Sequence, residues 1–512
     1  MKVCESVQYE KRGKHMTGYL IAHDIGTSGD KATLYRTDGT ALRSETVSYP
    51  VHYFGHHCAE QNPEDWWQAV CRSTRKILED IPASSVLGLS FSAQMQCCLP
   101  VDREGRPLHP AMIWADHRAV EERDHLIRSI GFDQMYDITG HRPNESYTLE
   151  KVMWLKKHEP DIYAGTYKIL QVKDYLLFRL TGRFATDYSD ASGTNAMDLN
   201  RFDWSEDILK AAEISSDLFP ELHASTDIIG PLTKEAAAAT GLPEGLPVVC
   251  GGGDGPCAAV GAGCIEDQQL YATFGTSAWI GGTTKEKFVD DQKILMCFAH
   301  VIPGRYAPCG TMQAAGSSYA YIRSLLEPDT AYEELDREIS CAPPGSDGLV
   351  FLPYLTGERS PRWNEKASGA FIGMRMEQTR KDYLRAVIEG IGFNLDLILD
   401  AYRKNIPVER MILTGGGAKG QAVCQILADI FGIPLTVPDH ADTATSIAAA
   451  VIAGVGIGLY PDFQAVGSFL HMEQKYTPVA EHRAVYQQLK PVFDECYHAL
   501  EPVYNRMDAL HV

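Results

Sequence analysis

Residues 19–36 read YLIAHDIGTSGDKATLYR and residues 270–281 read LYATFGTSAWIG. In the first stretch the apolar run Tyr19 to Ile25 meets the turn formers Gly26-Thr27-Ser28-Gly29-Asp30. A second run, Lys31 to Tyr35, follows, and Thr37-Asp38-Gly39-Thr40 turns the chain again. Apolar runs bounded by such residues predict strand, hairpin, strand, turn, strand. In the second stretch Leu270 to Phe274 and Ala278 to Gly281 flank Gly275-Thr276-Ser277 in the same manner. Ile25-Gly26-Thr27-Ser28 is thus echoed by Phe274-Gly275-Thr276-Ser277. The echo, in one strand–turn–strand setting, predicts a duplicated α/β unit joined near residues 255–268, where Gly and Ala dominate.

Outward from these hairpins the helices declare themselves. Asn62 caps, Pro63 opens and Glu64 and Asp65 complement the dipole of a helix over about 64–78, with Trp66, Val70 and Ile77 on one stripe. Residues 382–402 place Leu384, Ile388, Ile391, Leu395 and Ile398 on another. A third helix, 421–431, follows a glycine turn. A helical tail, 481–503, carries Pro491 as an expected break or kink. At 512 residues the chain exceeds one ordinary core. The expected division is an extension without fixed structure over 1–17, a first domain over 18–262 and a second over 263–512.

Composition narrows the classes. Hydrophobic residues are 45% and charged residues 22%, the mix of a soluble globular protein, and no apolar run is long enough to span a bilayer. Residues 1–17 lack the apolar core of a secretory signal, so a cytoplasmic setting is expected. A net charge of −20 argues against a nucleic-acid partner but not against a small anion held by local N–H groups. The 13 Cys include no C-x-x-C, and Cys97 and Cys98 are expected to pack in the core. His56-His57-Cys58 fits no metal-ligand spacing and reads as a loop.

Four segments hold the candidate chemistry. In Asp24-Ile25-Gly26-Thr27-Ser28-Gly29-Asp30-Lys31, glycine lets the backbone approach a phosphate and Thr27 and Ser28 add hydroxyl donors. Lys31 adds positive charge, and Asp24 can hold Mg²⁺ through its waters. An ordinary hairpin turn explains the octet equally well. Gly275-Thr276-Ser277, weak alone, would close over the same phosphates from the other domain. Residues 411–420, MILTGGGAKG, run a strand into glycines before a helix, a flat floor for a planar ring or an anion, or a turn that binds nothing. Neither the dinucleotide fingerprint nor the P-loop pattern is present there. Last, Val248-Val249-Cys250-Gly251-Gly252-Gly253-Asp254-Gly255-Pro256 presents one carboxylate among glycines. Asp254 is either a base that takes a hydroxyl proton during attack on a γ-phosphoryl group or a simple N-cap.

Together these segments resemble the FGGY carbohydrate kinases, the family of glycerol kinase, gluconokinase, ribulokinase and xylulokinase. The likeness runs from about Tyr19 to Gly458. It takes in the D-x-G-T-S turn at Asp24, Ser92-Ala93-Gln94-Met95-Gln96, residues 113–118 (IWADHR) and residues 146–155 (SYTLEKVMWL). Asp254, residues 351–359 (FLPYLTGER), the segment from Gly369 to Glu389 and Gly415-Gly416-Gly417 follow in family order. The resemblance implies two duplicated ribonuclease-H-like domains, as in actin-like ATPases, with a ligand cleft between them. It implies ATP and Mg²⁺ as cofactors, a sugar as small-molecule substrate, and Asp254 as catalytic base and a candidate metal ligand. By the same token Asp24, Thr27, Ser28 and Lys31 serve phosphate and metal, and Gly275, Thr276 and Gly316 the terminal phosphates. Gly416, Gly417 and Lys419 lie by the adenosine, and Gln94, Met95, Gln96 and Trp114 by the sugar. A homodimer is expected by analogy. The nearest subfamily is xylulokinase, with D-xylulose as acceptor, but two departures touch the sugar. Gln96 stands where that subfamily has His, and Gly255 where it has Asn.

Overall fold

A computed structural model of the chain describes residues 18–510, apart from 56, 327 and 440–442. The expected extension, 1–17, lies outside the described residues, as does His56. The first hairpin forms as predicted: β1 (Tyr19–Ile25) pairs antiparallel with β2 (Gly29–Arg36), which pairs with β3 (Ala41–Ser48). On the other side of β1 the sheet turns parallel, through β4 (Val86–Ala93) to β5 (Pro247–Val249). The second sheet repeats this plan. β6 (Gln269–Phe274) pairs antiparallel with β7 (Ala278–Thr283), and beyond β7 lie β9 (Tyr306–Met312) and β8 (Met296–Ala299). β6 runs parallel to β10 (Met411–Thr414), and β10 to β11 (Leu435–Pro438). Three antiparallel strands followed by two parallel ones recur in both sheets, with β8 added beyond β9 in the second, and form the two ribonuclease-H-like lobes of an actin-like architecture.

Helices cover both sheets. α1 (Pro63–Ile77) packs on β2 and β3, its cap made by Asn62 Oδ1 accepting the Glu64 amide at 3.2 Å. Leu384, Ile388, Ile391, Leu395 and Ile398 of α4 (Arg380–Arg403) are fully buried against the second lobe, as their spacing predicted. α5 (Gln421–Phe431) has the predicted bounds. α7 (Ala480–Ala509) departs from expectation: it runs unbroken through Pro491 and Pro502. Buried Tyr486, Phe493, Tyr497 and Tyr504 anchor it to the second core, and that packing outweighs the missing N–H donors. His57-Cys58 is not a plain loop either, since Cys58 begins a short strand, Cys58–Gln61, in a hairpin with His52–Phe54.

Two further features set up the cleft. Residues 98–219 build a satellite core on the first lobe around Met112, Leu126, Leu149, Val152 and Phe219, which no periodicity in the sequence announced. α2 (Asp254–Gly261) and α6 (Ala444–Gly456) cross between the lobes, sharing a core with Ala22, Tyr35 and Val249. α6 comes from late in the chain yet packs on β1 and β4 of the first sheet. Tyr35 fixes it by donating its hydroxyl hydrogen to Ser446 Oγ at 3.2 Å.

Candidate active site

Asp24 and Asp254 face one cleft from different elements. Asp24 is the next-to-last residue of β1, directly across the ladder from Lys31, so the two side chains share a face. Asp24 Oδ2 accepts the Thr445 hydroxyl at 2.7 Å, a tie from the first sheet to α6. Asp254 is the first residue of α2, and Gly253 occupies the cap position. The N-cap alternative for Asp254 therefore falls away; among the described residues its Oδ1 accepts only the adjacent Gly255 amide, at 2.8 Å. Gly253 packs closely on Met95: a Cβ there would sit 2.6 Å from Met95 Sδ and make that side chain shift. Burial, opposed by the Thr445 hydrogen bond, lifts the Asp24 carboxyl to about 6. Burial and then the Asp24 charge lift Asp254 to about 7.

A cavity of about 270 Å³ lies between the lobes, beside the residues read from sequence as sugar contacts. Met95, Gln96 and Trp114 line it from the first lobe, Trp279, Thr311, Arg359 and Trp363 from the second, with Asp254, Gly255 and Thr445 at the seam. Gln96 holds a left-handed backbone, φ 63°, a conformation that costs a non-glycine residue roughly 1 kcal/mol or more. Fully buried Lys151 holds it there, donating to the Gln96 carbonyl at 2.9 Å and to the Ile113 carbonyl at 2.6 Å. One ammonium thus fixes the loops that present Gln96 and Trp114. Gln94 stands behind the wall, 2% exposed, donating to Gln61 Oε1 at 2.8 Å and accepting the Thr27 hydroxyl at 3.4 Å. Thr27 Oγ1 also accepts the Trp114 indole N–H at 2.9 Å. Thr27, read from sequence as a phosphate residue, is therefore joined to residues read as sugar contacts. Ser28 is exposed at the tip of that turn.

The glycine turns read from sequence as nucleotide contacts gather on the second lobe. The Gly316 amide, which opens α3 (Gly316–Leu326), donates to the Gly275 carbonyl at 3.0 Å, and the Ser317 and Ala315 amides donate to the Thr276 carbonyl. A Cβ on Gly316 would lie 2.4 Å from Gly275 O, so only glycine permits this clasp. The turn Gly416–Lys419 lies over the end of β6, with Gly417 against the Phe274 ring, while the outer face of Gly416 is open. A hairpin turn, a helix N-terminus and a flat glycine turn thus converge, the combination that receives phosphates and a planar base. A larger hollow of about 520 Å³ by Cys264, Arg410 and Thr436 lies at the starting ends of β6 and β10, opposite these turns.

The sequence reading did not find Thr445, Trp279, Arg142, Thr311 or Trp363 at this site. None sits in a glycine turn, and each arrives by long-range packing. As the candidate base, Asp254 must be ionised, so kcat/KM for the acceptor is expected to rise about tenfold per pH unit below about 7 and to level off above it. Burial is the larger cause of the raised Asp254 carboxyl and the Asp24 charge the second, so Asp24→Asn should move this limb part of the way to lower pH. A flat profile between about pH 5.5 and 8 contradicts the assignment.

Two actin-like lobes, a carboxylate at the start of a helix in the cleft and convergent glycine turns define a phosphotransferase that brings a nucleotide to a small acceptor. Residues 19–261 match the N-terminal domain, and residues 270–457 the C-terminal domain, of the FGGY family of carbohydrate kinases. A xylulose kinase of Bacillus subtilis (strain 168) is 32% identical over 483 residues, 94% of this chain and 96% of that one. A gluconokinase of the same organism is 29% identical over 96% of this chain and 98% of its own. The crystal structure of ligand-bound xylulose kinase from Lactobacillus acidophilus superposes with a TM-score of 0.91 at 28% identity, covering 96% of this chain and 100% of the other. The chain belongs to the FGGY family of carbohydrate kinases: it is a sugar kinase that uses ATP. Among the described residues no helix is long and apolar enough to cross a membrane.

Proposed function

We propose that the protein transfers the γ-phosphoryl group of ATP to a terminal hydroxyl of an open-chain sugar, with Asp254 as the base. The reading is carried by Asp254, which opens a helix at the seam of a two-walled cavity with no side-chain hydrogen bond among the described residues beyond that from its neighbour's amide. Asp254 takes the hydroxyl proton as that oxygen bonds to the γ-phosphorus and the bond to the leaving ADP oxygen breaks. Gln96, held by Lys151, and Trp114, held by Thr27, orient the acceptor. The turns at Gly275, Gly316 and Gly416 hold the phosphates and the base, with Lys31 and Lys419 adding charge.

The residues fit Mg²⁺. Two carboxylates raised by burial, the charge of Asp24 adding to the rise at Asp254, suit a cation that keeps several waters and takes one or two carboxylates beside its phosphates. Asp24 would hold it through water, with Asp254 a second candidate, and it would neutralise phosphate charge. A homodimer and a cytoplasmic setting belong to the same proposal.

D-xylulose, giving xylulose 5-phosphate, is supported as acceptor by the run Phe351 to Arg359 and by the xylulose kinase relatives. An aldonate such as gluconate is favoured by the gluconokinase relative and by one observation, two guanidinium groups on the acceptor cavity. ADP release is to be measured over ketoses, polyols and aldonates. Turnover well above basal hydrolysis is expected with at least one of them, and basal hydrolysis alone with all would refute the kinase reading.

A further inference from the structure

The wall of the acceptor cavity carries one carboxylate, Asp254, and two guanidinium groups, Arg142 and Arg359. In a chain of net charge −20 that local excess of cations is against the average field. Neither guanidinium has a carboxylate partner among the described residues. Arg359 makes no side-chain hydrogen bond or ion pair there at all, although its neighbour in sequence is an acid. Glu358 is turned into the core, where it accepts the Gln313 amide at 2.7 Å, the Arg359 amide at 2.8 Å and the Asn394 side-chain amide at 3.0 Å. Arg142 donates Nε to the Lys293 carbonyl at 2.8 Å and stacks 4.8 Å over the Trp363 ring. Its Nη2 donates to the Gln292 carbonyl at 3.4 Å, which leaves Nη1 without a partner among the described residues. The loop carrying Arg359 is rigid: Glu358 and Asn364 exchange backbone hydrogen bonds at 2.9 Å, and the Trp363 indole is tied to the Ile294 carbonyl at 3.2 Å.

We propose that the acceptor is an open-chain hydroxy acid of the aldonic type, and that Arg359, with Arg142 beside it, binds its carboxylate while the hydroxyl at the other end meets Asp254. The inference rests on the sugar-kinase reading above and chooses between its two acceptors. A neutral ketose leaves the half-buried Arg359 with hydroxyl partners only, and Arg142 with one N–H group to spare. A carboxylate gives a planar fork the bidentate, charge-assisted partner it is shaped for. The γ-phosphate is the other anion that Arg359 could meet. The turns that gather the nucleotide side, at Thr276, Gly316 and Gly416, do not line this cavity, whereas Met95, Gln96 and Trp114 do.

The test compares acids with neutral acceptors: D-gluconate against D-glucitol and D-xylonate against D-xylitol, which differ at C1 alone, and D-xylonate against D-xylulose, which differs at C2 as well. The wild-type enzyme is expected to show kcat/KM for the acid on the order of 10²-fold above that for its neutral partner, because a site built for a charged group rejects the analogue that lacks it. Added salt should shrink the ratio. Arg359→Gln is expected to collapse it to within about tenfold, chiefly through KM for the acid, and Arg359→Lys to restore part of it. The wild-type ratio stands without any variant, so misfolding of Arg359→Gln does not blunt the test. A wild-type preference for the neutral acceptor overturns the inference and leaves the sugar-kinase reading intact. So does an Arg359→Gln defect equal on all acceptors or seated in KM for ATP. No turnover on any acceptor defeats both.

Discussion

Asp254→Asn should reduce kcat by on the order of 10²–10⁴-fold while the protein stays folded. The substitution keeps the shape and the hydrogen bond, since an amide oxygen can accept the Gly255 N–H as the carboxylate does. It removes only the ability to take a proton. Its stability has a sign that can be checked. The Asp254 carboxyl sits near 7 in the folded chain against 3.8 for a free side chain. A group raised on folding contributes stability at pH values below its unfolded value and loses that contribution as pH climbs through the folded one. At pH 5 the wild type carries Asp254 protonated, and the Asn variant should melt close to it. At pH 8 the wild type must hold an ionised group in a desolvated cleft beside Asp24, and the Asn variant should melt at the same temperature or higher. Thermal melts at the two pH values, beside steady-state turnover, test both halves. Near-normal turnover of a folded variant at neutral pH would remove Asp254 from the role of base.

What the sequence could disclose follows how local each feature is. The hairpins at Gly26 and Gly275 were legible because a turn and two flanking apolar runs need no distant partner. α4 was legible for the same reason, its stripe fixed by the period of one helix. Asp254 was legible as a carboxylate among glycines, but its two readings separated only when Gly253 proved to hold the cap position. Thr445 was out of reach: its hydrogen bond to Asp24 spans 421 residues. Arg142, Trp279 and Trp363 reach the cavity through loops whose approach depends on both lobes. Arg359 was in view in the run that suggested xylulokinase, yet nothing local said that Glu358 turns away and leaves its guanidinium unpaired. Gln94 shows the converse, a residue in a motif whose two polar ends are consumed by Gln61 and Thr27. Pro491 misled because a helix held by buried aromatic residues absorbs a lost donor that an isolated helix does not.

Gly261→Ala should impair both stability and catalysis, although Gly261 lies a full helix away from Asp254. A Cβ at Gly261 would stand 1.7 Å from the Ala444 carbonyl oxygen and 2.6 Å from its Cα. These are backbone atoms, with no flexible side chain to swing aside, so α2 and α6 must separate. Overpacking of this kind costs roughly 1–3 kcal/mol, and more where backbone must move. The same displacement reaches the chemistry along both helices. Ala444 is the first residue of α6, and the next, Thr445, donates to Asp24 at 2.7 Å. At the other end α2 begins with Asp254 itself. A shift of about an ångström in reacting groups can cost on the order of 10²-fold in rate. The variant is therefore expected to melt several degrees lower, to lose about 10²-fold in kcat, and to move the acid limb of its pH profile as the Thr445–Asp24 hydrogen bond is disturbed. Gly467→Ala is the control, because nothing lies within 4 Å of a Cβ built there, and it should fall within about 0.5 kcal/mol of wild type. If Gly261→Ala melted and turned over as the wild type does, the close crossing of α2 and α6 would not be what holds Asp24 and Asp254 in one cleft.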